Sequence, residues 1–289
     1  MIEIAILTPD SADPSYASQW PGALERLSAT LAEAGVTAVP MAWTDHIDSA
    51  AGLTRFPLVL PLLVWGYHRD HDQWLKACEG WDAAGVRMLN PPSVLGWNSD
   101  KSYLGRLADK GVAMPDTVWV DSPTQGDVDA AFDRFGTDRI VVKPRVSAGA
   151  HLTQRLAPGE PLIDAPEGPA MIQPYLPTIE TEGETSLLFF DGRLSHAVNK
   201  RPVDGDFRIQ SQFGGLYVPV TPPEAAQALA HKVLAAIDEP LLYARIDMAP
   251  DPAGNWLLME AELIEPDIYL TDDPARGAGF AAAVRARLG

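Results

Sequence analysis

The stretch Trp256-Leu257-Leu258-Met259-Glu260-Ala261-Glu262 places two carboxylates two residues apart in an otherwise apolar run. This spacing predicts a β-strand on which Glu260 and Glu262 point to the same face. Such carboxylates repel each other unless a cation lies between them, and Asp247, on an earlier apolar run, could complete the group. Because Mg²⁺ prefers carboxylate oxygens, all three are predicted metal ligands. The alternative is an antiparallel hairpin with a solvated acidic face.

Lysine is scarce in this chain, with six residues against sixteen arginines, so the positions of the lysines are informative. Lys143 ends the apolar run Ile140-Val141-Val142, where burying an unpaired ammonium is costly. Either an anion binds Lys143 or its side chain reaches solvent. The small residues Ser147, Ala148 and Gly149 follow, and their backbone N–H groups can close over phosphate. This combination favours a phosphate site.

Two further cationic segments each allow an ordinary surface interpretation as well. Lys101 follows Asn98-Ser99-Asp100 at the predicted start of a helix, where it could be a simple surface residue beside an N-cap. Residues 199–215 are polar, contain glycines and carry Lys200 and Arg208. They form either a surface loop or a loop that closes on phosphate.

Strands that alternate with helices over residues 1–97 predict an open parallel sheet of the α/β class. The pattern of elements changes at residue 98, so residues 98–172 are predicted to form a second unit, and residues 173–289 an α+β unit that carries the metal site. The chain is therefore divided into three domains. The individual elements that bear on the site are strands at 58–63 and 86–90, a break at Pro91-Pro92, a helix at 100–110, strands at 186–190, 241–248 and 256–262, and helices at 224–236 and 279–288.

Composition excludes several classes of function. The formal net charge of −17 repels nucleic acid and anionic lipid, and no basic stripe offsets it. The N-terminal residues predict a strand rather than a signal peptide. Cys78 is the single cysteine, so no internal disulfide can form, and its spacing with tryptophans predicts core packing. We therefore expect a cytoplasmic protein with no nucleic-acid or membrane partner.

Together these segments resemble the ATP-grasp superfamily, in particular its branch of prokaryotic glutathione synthetase, RimK- and LysX-type ligases and cycloserine synthetase. The resemblance covers about residues 98–266. It implies an ATP-grasp fold with an N-terminal parallel-sheet domain, a small lid and a C-terminal antiparallel-sheet domain. The motifs that carry it are Asn98-Ser99-Asp100-Lys101, Lys143-Pro144, Met171-Ile172-Gln173-Pro174-Tyr175-Leu176-Pro177, Gly205-Asp206-Phe207-Arg208, Asp247, and Glu260-Ala261-Glu262.

Two residues depart from the family pattern. Glu262 stands where the last metal ligand is usually Asn, and Gln210 stands where an Asn usually follows the loop arginine. A carboxylate at 262 can still bind Mg²⁺, but it adds negative charge beside a triphosphate. The run 260–266, together with residues 147–150, looks closest to the cycloserine-synthetase-like group.

The resemblance also implies a role for each site residue. Lys101 and Lys143 would bind the ATP phosphates, the adenine would lie against a hinge strand, and an acidic residue would approach the ribose. The predicted ATP-binding residues are Lys101, Lys143, Ser147, Ala148, Gly149, Gln173, Tyr175, Leu176 and Glu184. The predicted catalytic residues are Arg208, Lys200 and Arg245, and the metal ligands are Asp247, Glu260 and Glu262.

The implied activity is that of an ADP-forming ligase. It would activate the carboxylate of an amino-acid or peptide-like substrate as an acyl phosphate, for attack by an amine-type nucleophile. Two Mg²⁺ ions, replaceable by Mn²⁺, would assist. The alternatives are a cyclase of the cycloserine-synthetase type, acting on an O-ureidoserine-like substrate, and a protein that binds nucleotide without turnover. A homodimer and a homotetramer are both compatible with the resemblance.

Residues that select the substrate are expected in the N-terminal domain and around residues 201–215. Thr8-Pro9-Asp10-Ser11 follows the first strand, at an edge where open α/β sheets bind ligands. Trp65-Gly66-Tyr67-His68 follows the third strand. Both segments are candidates for the substrate site, with ordinary loops as the alternative.

Overall fold

A computed structural model describes residues 1–203, 208–209 and 213–289. The N-terminal unit is a three-stranded parallel sheet in the order β2-β1-β3. The strand β1 lies in the middle of this sheet, and its residues 4–8 are buried, as expected for a strand covered on both faces. The elements are β1 (Ile2–Thr8), α1 (Trp20–Glu33), β2 (Val36–Ala42), β3 (Val59–Leu60) and α2 (His71–Ala83).

Two predicted strands of this unit are shorter or missing. The predicted strand at 58–63 has only the two residues of β3, because Pro61 cannot donate to a sheet ladder. The predicted strand at 86–90 is reduced to one bridge between Val59 and Met88. Asn90, at its end, instead turns its side chain toward the C-terminal sheet.

The segment after residue 90 also differs from the prediction. Pro91-Pro92 does not break the pattern but starts a helix, α3 (Pro92–Asn98), because proline is well tolerated in the first helical turn. The predicted helix at 100–110 begins later, as α4 (Tyr103–Asp109). Between the two helices the backbone N–H of Lys101 donates to the carbonyl of Arg145, 3.0 Å away, so this turn is tied to the lid.

The lid is an antiparallel sheet in the order β4-β7-β5-β6, with one helix packed on it. Strands β5 and β6 form an antiparallel hairpin, and residues 145–153 connect them. The predicted domain boundary after residue 172 falls inside β7, which pairs along its length with β5. The elements are β4 (Val118–Val120), α5 (Gln125–Phe135), β5 (Ile140–Pro144), β6 (Gln154–Leu156) and β7 (Ala170–Pro174).

The C-terminal unit is an antiparallel sheet in the order β10-β9-β8-β11-β12. The sequence predicted β8, β11, β12 and the two long helices but missed β9 and β10. Strand β9 is largely polar and β10 is an exposed edge strand with a proline, so neither has the apolar pattern of a core strand. The elements are α6 (Thr178–Thr181), β8 (Glu184–Phe190), β9 (Arg193–Arg201), β10 (Leu216–Val220), α7 (Glu224–Ala236), β11 (Tyr243–Pro250), β12 (Trp256–Glu262) and α8 (Ala278–Leu288).

The N-terminal and C-terminal units share one apolar core. Ile4 and Ile6 of β1 belong to the same buried cluster as Leu188 and Phe190 of β8, with Phe280 of α8 beside them. Tyr103 of α4 lies in a second cluster with the strands β8, β11 and β12. None of the helices in the described ranges combines the length and the apolar composition needed to cross a membrane.

Asn90 joins the two units through a fully buried side chain. Its amide group donates to the carbonyls of Tyr243 (2.9 Å) and Leu263 (2.7 Å), and its oxygen accepts from the N–H of Leu242 (2.8 Å). Each partner is a backbone group that has no access to water. A buried polar group left without a partner costs about 1–3 kcal/mol.

We expect the substitution Asn90→Ala to lower the free energy of unfolding by about 2–4 kcal/mol, because several buried backbone groups lose their partner together. Chemical denaturation measures this loss. The control is Asn255→Ala in an exposed turn, which removes one hydrogen bond to Asp251 and should cost less than about 1 kcal/mol. A loss for Asn90→Ala no larger than that of the control would contradict the role of Asn90.

Candidate active site

One large cavity of about 1010 Å³ lies among the three sheets. Every ATP-binding, catalytic and metal-ligating residue predicted from the sequence lines it. The lid contributes the loop after β5 and the end of β7, and the C-terminal sheet contributes one face of β8, β9, β11 and β12. The predicted residues in its wall are Lys101, Lys143, Ser147, Ala148, Gly149, Gln173, Tyr175, Leu176, Glu184, Lys200, Arg208, Arg245, Asp247, Glu260 and Glu262.

The register of the C-terminal sheet explains why the acidic side chains meet. Asp247 on β11 lies opposite Glu260 on β12, and Arg245 lies opposite Glu262. Since alternate residues of a strand share a face, all four side chains point into the cavity. On the other side of β11, Asp247 faces Ser186 of β8.

Asp247 is the centre of a buried ionic network. It is 2% exposed, and its carboxylate lies 2.9 Å from the Arg245 guanidinium and 3.1 Å from the Lys200 ammonium. The Ser186 hydroxyl donates to it at 2.6 Å. Burial opposes ionisation, but Arg245 and Lys200 outweigh burial, so the pKa of Asp247 is lowered. Asp247 is therefore held as a carboxylate.

Lys200 has a different position from the one expected of a residue that contacts phosphate. Its ammonium lies 2.6 Å from the Glu184 carboxylate and 3.1 Å from Asp247, and the residue is 4% exposed. Burial favours the neutral amine, yet these two carboxylates raise the pKa of Lys200. The ammonium of Lys200 therefore binds Glu184 and Asp247 at the same time, which makes Lys200 a positioning residue in this structure.

Lys101 and Lys143 face the same cavity but differ in their contacts. The Lys101 ammonium lies 2.9 Å from Glu260 and donates to the carbonyl of Ser147 at 3.2 Å. The ammonium of Lys143 makes no ion pair or hydrogen bond with any residue of ranges 1–203, 208–209 and 213–289. Burial lowers the pKa of Lys143, and the charge of Lys101 adds to this effect while Glu260 opposes it. Lys143 therefore carries a half-buried cation in need of an anion.

Glu262 is the carboxylate that departs from the family pattern. The Arg245 guanidinium donates to it across the strand pair. Burial raises the pKa of Glu262 to about 7, with the charges of Glu260 and Asp247 adding to the shift and Arg245 opposing it. The extra carboxylate is thus compensated by Arg245 and is easily protonated near neutral pH.

The three predicted metal ligands share one face, but each is engaged by a cation. Lys101 pairs with Glu260, and Arg245 pairs with Asp247 and Glu262. Over the described ranges, no group of three acidic, histidine or cysteine side chains converges closely enough to hold a metal ion. Carboxylate oxygens are the type of ligand that Mg²⁺ prefers. The three carboxylates can coordinate a metal ion together only if these ion pairs rearrange.

The hinge at the end of β7 offers one free backbone donor. The N–H of Tyr175 is already bonded to the carbonyl of Arg139 at 3.0 Å, and Gln173 is paired with Val141 in the sheet. Leu176 lies beside them, and its N–H makes no hydrogen bond within the described ranges. An apolar cluster that includes Leu176, Ile179, Ile209 and Met259 borders this part of the cavity. Of the three predicted hinge residues, Leu176 is therefore the one with a backbone N–H available to a flat heterocycle.

A contact missed from the sequence holds the small-residue loop in place. Arg145, two residues after Lys143, forms two hydrogen bonds of 2.9 and 2.7 Å with the carboxylate of Asp100. Gly149 and Ala150 both have positive φ, a conformation that glycine adopts without steric cost and that is unfavourable for alanine. The only sequence signal for this contact was that each partner lies beside a predicted phosphate lysine.

The loop after β9 is described only in part. Arg208 lines the cavity, with its guanidinium 3.7 Å from the centre of the Phe213 ring. The predicted loop residues Gly205, Asp206, Phe207 and Gln210 lie outside the described residues.

Only one of the two predicted substrate segments contributes residues to the cavity. Trp65 and Tyr67 line the cavity, whereas Thr8-Pro9-Asp10-Ser11 does not. That segment closes on itself, since the Asp10 carboxylate accepts from the N–H of Ala12. Residues that were not foreseen take its place, because contacts between distant segments leave no local pattern. They are Ser18, Gln19, Gly22, Ala23 and Arg26 around the start of α1, and Glu265 with residues 267–271 after β12.

Comparison with known proteins places these features in a family context. The N-terminal domain family of D-cycloserine synthetase DcsG matches residues 4–90. The cycloserine biosynthesis protein DcsG of Streptomyces lavendulae is 28% identical over 288 residues, which covers 88% of this chain and 90% of that protein. A glutathione synthetase of Prochlorococcus marinus strain MIT 9313 is 30% identical over 217 residues, covering 72% of this chain and 66% of the relative.

The solved structures agree with the sequence comparison. The crystal structure of D-cycloserine synthetase DcsG superimposes with a TM-score of 0.79 at 26% identity, and the match covers 99% of this chain and 100% of that structure. The predicted fold class is confirmed, with a parallel N-terminal sheet and two antiparallel sheets in an ATP-grasp arrangement.

Proposed function

Because the chain belongs to the ATP-grasp superfamily of ATP-dependent, ADP-forming enzymes, we propose that it activates a substrate carboxylate as an acyl phosphate. A nitrogen nucleophile then attacks the activated carbonyl. The observation that carries this proposal is the ammonium of Lys143, which is half-buried in the wall of the cavity and has no partner among the described residues. An unpaired cation in such a place is costly, and a phosphate oxygen is the partner that removes the cost.

Each wall of the cavity suits one part of ATP. The free N–H of Leu176 and the apolar residues around it suit the adenine, and Glu184 suits the ribose. Lys101 and Lys143 neutralise phosphate oxygens while the backbone of residues 147–149 closes over them. Asp247, Glu260 and Glu262 would hold two Mg²⁺ ions, or Mn²⁺ in their place, which supply charge neutralisation at the phosphates.

The first step is transfer of the γ-phosphoryl group. A carboxylate oxygen of the substrate forms a bond to the γ-phosphorus, and the bond from that phosphorus to ADP breaks. Arg245 and Arg208 stabilise the negative charge that develops near the carboxylate. Lys200 contributes indirectly, because it holds Glu184 and Asp247 in place.

The second step forms the product. A neutral amine-type nitrogen bonds to the carbonyl carbon, the bond to phosphate breaks, and the nitrogen gives up a proton. Inorganic phosphate leaves with the electron pair of that bond. If the nitrogen belongs to a second molecule, the enzyme is a ligase. If it belongs to the activated molecule, the enzyme is a cyclase.

A cyclase of the cycloserine-synthetase type is the second candidate. It is favoured by one observation, which is that the similarity to DcsG extends through the N-terminal domain, the part of the chain expected to select the substrate. An O-ureidoserine-like substrate would then be activated and attacked by its own nitrogen. A location in the cytoplasm accords with the single, buried Cys78.

The test is a screen for ADP and phosphate release in the presence of Mg²⁺ and ATP. The candidate substrates are amino acids, small peptides, and ureido and hydroxylamine derivatives, with product masses recorded. A product heavier than either substrate indicates ligation, and one lighter than its single substrate indicates cyclisation. ATP binding without release for any compound would contradict turnover and support the nucleotide-binding alternative.

A further inference from the structure

Most charged side chains of the cavity pair with one another. Lys101, Lys200 and Arg245 neutralise the carboxylates described above. Within the described ranges, Lys143, Arg26 and Glu265 are the cavity residues whose charged groups make neither an ion pair nor a hydrogen bond. The proposed function provides phosphate for Lys143. It leaves Glu265, a half-buried carboxyl, without a counter-charge.

Glu265 is held rigidly at the edge of the metal face. The preceding Ile264 is buried, and its carbonyl accepts from the Tyr243 hydroxyl at 2.7 Å. The following Pro266 is also buried. Tyr67, from the N-terminal unit, lines the same part of the cavity, and the charge of Glu265 adds to burial in raising the pKa of the Tyr67 phenol. The carboxyl is therefore presented to the cavity by a fixed backbone.

The position of Glu265 relates it to the reacting group of the substrate. It lies three residues after Glu262, beside the face where the γ-phosphate and the substrate carboxylate must meet. The α-ammonium of an amino acid is separated from its carboxylate by a single carbon. A residue beside the carboxylate-activating centre is therefore well placed to reach that ammonium.

We propose that Glu265 holds the ammonium group of an amino-acid substrate whose own carboxylate is activated. This inference rests on the proposed function. The ammonium is not the attacking nitrogen, because a protonated amine has no lone pair, so Glu265 acts as a specificity-determining residue. Burial raises the pKa of Glu265 to about 8 in the free protein, with Glu262 adding to the shift. An ammonium partner supplies the positive charge that favours the ionised carboxylate.

The experiment compares amino acids with their des-amino counterparts. Alanine and serine in both enantiomers, and O-ureidoserine, are each paired with the acid that carries hydrogen in place of the amino group. Binding is measured by calorimetry in the presence of Mg²⁺ and a non-hydrolysable ATP analogue, and turnover by ADP release. The variants are Glu265→Gln, which keeps the size of the side chain, and Glu160→Gln as the matched control.

Glu160 is a suitable control because its carboxylate is exposed, does not line the cavity, and accepts from the N–H of Ala157 at 2.8 Å, a bond that an amide oxygen can replace. We expect at least one panel amino acid to bind, and its des-amino acid to bind about 10- to 100-fold more weakly, the scale of a lost charged hydrogen bond. Glu265→Gln should weaken binding of the amino acid by the same factor and leave the KM for ATP unchanged. Glu160→Gln should bind as the wild type does.

Three results would overturn the assignment: no binding of any panel amino acid, equal binding of the des-amino acids, or equal effects of Glu265→Gln and Glu160→Gln. Thermal unfolding of both variants checks that they are folded. Binding that depends on Glu265 without any ADP release would leave this assignment intact and contradict the proposed function. ADP release that is insensitive to Glu265→Gln would contradict this assignment and leave the proposed function intact.

Discussion

The substitution Lys143→Met is expected to lower kcat/KM for ATP by about 100-fold while leaving the free energy of unfolding unchanged or higher. The loss follows because a charged hydrogen bond to phosphate contributes about 1.5–3 kcal/mol. The gain in stability follows because Lys143 is a half-buried ammonium with no partner in the described part of the free protein. Steady-state kinetics and chemical denaturation measure the two quantities.

The matched comparison is Lys101→Met, which should lower activity to a similar degree but also destabilise the protein. Lys101 pairs with Glu260 at 2.9 Å, so its removal leaves a carboxylate without a counter-charge. We expect a loss of about 1–2 kcal/mol, because the pair is partly accessible to solvent. Equal destabilisation by the two variants would show that Lys143 has a structural partner, which contradicts its assignment as the unpaired phosphate ligand.

The substitution Glu260→Gln is expected to reduce kcat by about 1000-fold, the scale seen when a group that supports transition-state charge is removed. Glu260 is the predicted metal ligand that lies opposite Asp247 across the strand pair. The amide keeps the size of the side chain but loses the charge that Mg²⁺ and Lys101 require. A titration of activity against Mg²⁺ concentration should show a higher requirement for the ion.

Glu262→Asn is the contrasting variant. It introduces the residue usual in the family, and an amide oxygen can still bind Mg²⁺, so we expect a loss below about 10-fold. Thermal unfolding checks that both variants are folded. Unchanged kinetics for Glu260→Gln would remove Glu260 from the metal site, and equal losses for both variants would show that position 262 requires a carboxylate.

Much of the fold was predictable because its decisive patterns are local. The strand over residues 256–262 and the helix over residues 224–236 appear with the predicted bounds, since alternation and helical periodicity are properties of adjacent residues. The strands β9 and β10 were missed because one is largely polar and the other is an exposed edge strand. Their place in the sheet depends on the pairing of β9 with β8 and of β10 with β9, which no local pattern records.

The candidate site likewise combines residues that the sequence could predict with contacts that it could not. The sequence was enough to identify Lys101, Lys143, Asp247 and Glu260 as residues for a phosphate and metal site, because their types and order are typical of that chemistry. It was not enough to show that Lys200 would join Glu184 to Asp247, 47 residues further along the chain. Nor could it show that Arg145 would pair with Asp100, or that residues 8–11 would lie outside the cavity.

By itself, then, the sequence determined which charged groups the protein has and which strands carry the carboxylates. Only the tertiary structure decided which of those charges neutralise one another. The physical reason is that an ion pair forms over a few ångströms, and those distances are set by sheet register and by the packing of distant segments. Lys143 and Glu265, unlike the exposed Arg26, are half-buried charged groups of the cavity with no charged partner in the described structure, and for that reason they are the two groups for which we propose a phosphate and an ammonium.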